Sequence, residues 1–139
     1  MILELHALAA IDSPSAAALA SAGVETTADL LERCGRPETR SRTAAETGIA
    51  EERLRGWVVM AELLRINGVT PLDAELLVRS GVRGLADLCA RSPGRLADTM
   101  LVVASEQQWS GLIPSAAVLE GWIRSADRLD PAVVEDETL

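Results

Sequence analysis

The sequence predicts an all-α fold: a single compact domain of tandem helical hairpins gathered round one buried central helix. Three observations predict it. Alanine and leucine dominate a chain that has no Tyr, Phe or Lys, and that is helix-forming composition. The second half of the central helix, from Trp57 to Leu64, is apolar nearly all round a helical wheel, so that helix should be buried on all sides. A segment also repeats. Leu8, Ile11, Leu19 and Gly23-Val24 recur 58 residues later (81 − 23) as Ile66, Val69, Leu77 and Gly81-Val82.

The elements follow in order. A short first helix, about Ile2 to Ala10, leads to a turn at Ile11-Asp12-Ser13, with Ser13 as cap and Pro14 at the first helical position. The next helix runs through Leu19 to Ala22 and stops at Gly23. Thr26 or Thr27 caps a helix carrying Leu30 and Leu31, which Gly35-Arg36-Pro37 breaks. A helix from about Pro37 to Thr47 ends at Gly48. The central helix, about 50–66, places Leu54, Trp57, Val58, Ala61 and Leu64 on one face, with Glu62 the one polar residue in its second half.

Asn67-Gly68-Val69-Thr70 forms the second turn, and Pro71 opens a helix that Gly81 closes. Leu85 to Cys89 make a short helix. Ser92-Pro93 start another through Leu96, Met100 and Val103. Residues 105–113 read as a loop with Trp109 partly exposed. Pro114-Ser115 begin the last helix, on which Val118, Trp122, Ile123 and Ala126 share a face, and Asp130-Pro131 end it. The domain spans 1–129, with repeat one over about 2–34, repeat two over about 66–104 and the C-terminal helix over about 115–129. Residues 130–139 read as an acidic, disordered tail.

Charge bounds the function. The net charge is −8. Residues 1–32 hold Glu4, Asp12, Glu25, Asp29 and Glu32 and no base, and only Arg79 to Arg95 is locally basic. Release of counterions drives nucleic-acid binding, so a chain of this balance repels a polyanion as a whole. No apolar run is long enough to span a bilayer, and no basic region precedes an apolar stretch at the start, so the expectation is a cytoplasmic protein with no membrane contact.

The catalytic inventory is thin. His6 is the one histidine, and it lies beside Leu5 and Leu8 as a structural or surface residue. Cys34 and Cys89 read as small apolar residues, with no CxxC or His/Cys cluster that would hold zinc. No catalytic, metal or cofactor residue is assigned, and the inventory points away from an enzyme.

The block Trp57-Val58-Val59-Met60-Ala61-Glu62-Leu63-Leu64-Arg65-Ile66-Asn67-Gly68-Val69 resembles the central block of a bacterial family labelled domain of unknown function 4332. Thr47-Gly48-Ile49, Ser80-Gly81-Val82, Ala86-Asp87-Leu88, Pro114-Ser115 and Trp122-Ile123 continue the likeness over nearly the whole chain. The resemblance implies tandem helix-hairpin-helix architecture, with a Gly-apolar-Gly hairpin that lets backbone N–H groups approach a phosphate. This chain departs from that pattern at both hairpins, with Ala10-Ile11-Asp12 and Gly68-Val69-Thr70. Asp12 sets a carboxylate where a phosphate would sit.

The leading expectation is therefore a non-catalytic interaction module that binds a protein partner or self-associates, with the loop residue Trp109 as a candidate anchor. The alternative is nucleic-acid binding through the second hairpin by Gly68, Val69, Thr70, Arg79 and Arg83. A third reading is a small-molecule or enzymatic pocket between the repeats, walled by Trp57 and Trp122.

Overall fold

The computed structural model describes residues 2–133. Among them, eight α-helices follow a single 3-10 turn at Leu5–Ala7: α1 Ser13–Ser21, α2 Thr27–Cys34, α3 Pro37–Thr47, α4 Glu51–Leu63, α5 Pro71–Arg79, α6 Leu85–Cys89, α7 Pro93–Glu106 and α8 Ala116–Ala126. The all-α expectation holds. The central helix is α4, which packs against α2, α3 and α5, while α7 and α8 lie against each other and reach α5 and α6 respectively. Every residue of α4 from Trp57 to Leu63 is buried, as a helix apolar on all sides requires.

Three local readings are corrected. The first segment is a 3-10 turn rather than a helix from Ile2 to Ala10. Its backbone is spent on the start of α2: the Leu5 and Thr27 N–H groups donate to the Glu25 and Leu3 carbonyls, and Leu3 N–H donates to the Thr27 hydroxyl. The cap of α1 is Asp12, not Ser13, because the longer carboxylate reaches the Ser15 N–H at 3.1 Å. On α8 the buried face is Leu119, Trp122 and Ala126, whereas Val118 is 44% exposed; one residue of helical rotation separates the two faces.

Two stretches 58 residues apart make closely similar hydrogen bonds, the arginine acceptors differing by one position. The Val24 N–H reaches Leu19 O, as Val82 reaches Leu77. Gly23 and Gly81 take left-handed φ values of +87° and +95° to close α1 and α5. Asp29 accepts from the Glu25 N–H at 3.0 Å, as Asp87 does from Arg83 at 2.8 Å. The Arg33 guanidinium donates to Ala22 O at 2.6 Å, and Arg91 to Gly81 O at 2.8 Å. In each stretch, an arginine of the following segment closes the carbonyl end of the helix before it.

Two buried charges tie the fold together. Arg40, 1% exposed, donates through Nε to Cys34 O at 2.8 Å and through a terminal nitrogen to Gly35 O at 3.2 Å, covering the carbonyl end of α2. Glu62, 1% exposed, accepts from the Leu85 N–H at 2.7 Å, so a carboxylate of α4 opens α6. A Cβ on Gly84 would fall 2.7 Å from that carboxylate oxygen, which is why a glycine precedes α6. The second oxygen of Glu62 accepts from the Ala132 and Val133 N–H groups at 2.5 and 2.6 Å, and Arg65 donates to Asp130 O at 2.7 Å. Residues 130–133, read from the sequence as the start of a disordered tail, are thus fastened to the body. The rest of that tail, 134–139, lies outside the described residues.

Candidate interaction surfaces

At the turn before α1, the helix N-terminus is already occupied. The Ser15 N–H and hydroxyl both donate to Asp12, and Arg53 pairs with its other oxygen at 2.6 Å. The Ser15 bonds, with help from Arg53, hold the Asp12 carboxyl below its ordinary value. Arg53 also stands over the Trp57 ring, 4.8 Å from its centroid.

The second hairpin reaches the same end by another route. Thr70 caps α5 by accepting from the Asp73 N–H, and the Asp73 carboxylate accepts from the Thr70 N–H at 3.0 Å. Gly68 is exposed and has the Trp122 indole nitrogen beside it, while Val69 is buried. The Thr70 N–H therefore faces a carboxylate of the chain itself, and the Asp73 N–H a hydroxyl.

The residues assigned to the nucleic-acid alternative are not gathered at one place. Gly68, Val69 and Thr70 precede α5, whereas Arg79 ends it, nine residues and about 13 Å away at the helical rise. Arg79 is engaged by Glu75 at 2.5 Å and by Gln107 at 2.7 Å, and it stands 5.3 Å from the centroid of Trp109. Arg83 lies further on, in the wall of a different cleft.

The tryptophans separate as well. Trp57 lines a shallow notch of about 260 Å³ with Met60 and Arg79. Trp122 is buried against the second hairpin and lines none of the clefts described here. Trp109 is half-buried, and its indole N–H has no acceptor among the described residues. Beside it an apolar ledge is open to solvent. Gly111 sits between the Trp109 ring and Leu72, with Leu112 next in the chain; Leu112 is 92% exposed and Leu72 50%.

A cleft of about 620 Å³ opens between α3, α4 and the turn after α5. Arg40, Arg55 and Arg83 line it, with Glu51 and Glu52 also in its wall and Val59 and Val82 beneath. Sequence reasoning missed Arg40, Arg55 and Glu62. The one available signal was Glu62, a lone carboxylate on an otherwise apolar half-helix.

His6 is exposed and pairs with Glu4 at 3.2 Å. Burial pushes both the Cys34 and the Cys89 thiols up, away from the reactive thiolate. Among the described residues no group of three or more His, Cys, Asp or Glu side chains could hold a metal ion. No helix described here is long and apolar enough to cross a membrane.

No curated protein and no solved structure matches the chain. One family model does match, over residues 10–129, from the first hairpin to the end of α8, and the chain accordingly belongs to the DUF4332 family, a domain of unknown function.

Proposed function

We propose that this chain is a non-catalytic interaction module, a diverged helix-hairpin-helix scaffold that binds a protein partner or a second copy of itself through the ledge of Leu72, Trp109 and Leu112. The ledge carries the reading. A leucine side chain left 92% exposed at Leu112, beside a half-exposed Leu72, is apolar surface that no other described residue covers. Arg79, stacked on Trp109, supplies a cationic rim of the kind that interface centres favour.

The hairpins support it from the other side. Asp12 at α1 and the reciprocal Thr70–Asp73 pair at α5 take up N–H groups that a phosphate would otherwise use, and the chain carries a net charge of −8. The second hairpin keeps an exposed Gly68, so nucleic acid is the reading to set against this one.

Light scattering and co-purification from native lysate test the proposal. The expected result is a dimer or a specific bound protein that is lost in Leu72→Asp/Leu112→Asp, a variant whose circular dichroism is unchanged. A strict monomer that captures nothing, or association that survives the double variant, overturns it. So does salt-sensitive binding of duplex or single-stranded oligonucleotide that drops in Thr70→Ala.

A further inference from the structure

Leu112 is held out by a loop built against local preference. At the end of α7 the Trp109 N–H donates to Ala104 O at 2.8 Å and the Gln108 N–H to Ser105 O at 3.4 Å, the bonds of a Schellman turn. The left-handed position of that turn, which favours glycine, is taken by Gln108 at φ +52°. The turn folds Trp109 back, and its indole N–H is buried with no acceptor among the described residues. Gly111 then passes so close that a Cβ there would lie 2.9 Å from the indole nitrogen. A strained residue, an unpaired donor and a crowded glycine together fix the loop from which Leu112 projects.

The notch of about 260 Å³ at Trp57 has the complementary shape, with Gly56, Met60 and Val78 also in its wall. Gly56 lies in the middle of α4, where glycine weakens a helix relative to alanine. A Cβ there would meet no described atom within 4 Å, so the described fold does not require the glycine; its missing side chain leaves the notch open. Arg79 lines this notch and also stands over the Trp109 ring, so the projecting loop and the notch are neighbours on the surface. A contact about a two-fold axis needs both halves side by side on one chain.

Charge favours a second copy as the occupant. Residues 107–119 carry no charged side chain. Both arginines of the notch are paired within the chain, Arg53 with Asp12 and Arg79 with Glu75, leaving Glu52 as the remaining wall charge. Two chains of net charge −8 repel one another elsewhere and can meet across these nearly uncharged surfaces. We infer that two copies of this chain associate by reciprocal insertion, Leu112 of each entering the Trp57 notch of the other. The inference rests on the ledge reading and narrows it to one partner.

Sedimentation equilibrium on the full chain, Leu112→Asp and Gly56→Leu tests this. The parent dimerises, and added salt leaves the dimer intact or tightens it by screening the repulsion. Each variant keeps its circular dichroism and weakens the dimer about a hundredfold, because one substitution removes both insertions. Mixing the two variants restores about tenfold, since Leu112 of one still finds the open notch of the other. Should Gly56→Leu fail to fold, Gly56→Cys and Leu112→Cys, each on a Cys89→Ser background, must crosslink several-fold faster than Gly94→Cys and Leu112→Cys. A parent that stays monomeric, a dimer that salt dissolves, one indifferent to Gly56→Leu, or mixing that restores nothing overturns the inference. If a strict monomer still captures a foreign protein that Leu72→Asp/Leu112→Asp loses, the inference falls and the ledge reading stands. If neither self-association nor capture occurs, both fall.

Discussion

Truncation of Glu62 tests how this fold is held. Its carboxylate accepts three backbone N–H groups at 2.5–2.7 Å, from Leu85, Ala132 and Val133. Bonds to an ionised acceptor contribute about 1.5–3 kcal/mol each. Glu62→Ala does not lose three times that, for two reasons. The Ala132 and Val133 amides are only part-buried and can return to water once the segment peels away. Removing a buried carboxylate also removes the cost of desolvating it, a few kcal/mol. What remains is the buried Leu85 N–H at the start of α6, left without an acceptor, together with the lost packing of residues 130–133. The expected loss is about 3–5 kcal/mol, a large share of the ~5–15 kcal/mol that a domain of this kind possesses. At this size that corresponds to a fall in Tm of about 10–15 °C. Urea denaturation followed by circular dichroism reads the free energy, and amide exchange at Leu85 reads the local opening. Glu62→Gln separates shape from charge. It preserves volume but turns an NH2 toward donors, so it should lose at least half of the alanine effect. If Glu62→Ala stays within about 1 kcal/mol of the parent and Leu85 exchange is unchanged, the three-way clasp is not a structural tie and the reasoning fails.

Two further outcomes follow from the helix-end bonds of α1 and α5 and from the carboxylates around them. Arg33→Ala and Arg91→Ala remove arginine caps from the carbonyl ends of α1 and α5, and each should cost about 1 kcal/mol in urea denaturation, Arg91→Ala the more because it also loses the Asp87 ion pair. The pH dependence has a definite sign. Backbone N–H donors, first that of Glu25, lower Asp29; at Asp87, burial pushes upward but Arg91 and the Arg83 N–H outweigh it. Asp12 is lowered too. A depressed folded pKa means the stabilisation is complete above the ordinary carboxylate value of about 4 and is lost as pH falls through the folded value. The urea midpoint should therefore be flat from pH 7 to about 5 and fall below pH 4, and Asp29→Asn/Asp87→Asn should flatten that fall.

Much of the fold was legible because its signals are local. Gly23, Gly48 and Gly81 stop helices, Pro37, Pro71 and Pro93 start them, and an apolar wheel from Trp57 to Leu64 announces a buried helix. The 58-residue offset was legible for the apolar positions, and the same offset relates Asp29 to Asp87 and Arg33 to Arg91, a correspondence that only the shared hydrogen bonds brought out. Charged residues with distant partners were not legible. Arg40 sits at an ordinary position of a polar helix, and nothing nearby says that it covers the end of α2. Glu62 stood out as an anomaly, but its acceptor role depends on amides 23 and 70–71 residues away. The first segment was misread because its amphipathic spacing suits a helix, while its N–H groups are claimed by residues 25–27. At the hairpins, the sequence showed the missing glycine and the carboxylate at Asp12; the Thr70–Asp73 reciprocity on α5 is the structural counterpart that spacing alone had left open.

The Glu62 clasp also sets an order of assembly. Helices α1 to α5 can find one another through neighbours close along the chain, whereas the charge at the heart of α4 stays wet until residues 85 and 132–133 arrive to dry it. A nascent chain emerging from the ribosome would carry an unsatisfied carboxylate in its would-be interior until residues 132–133 are made. Closure of the domain is thereby coupled to completion of the stretch that follows α8.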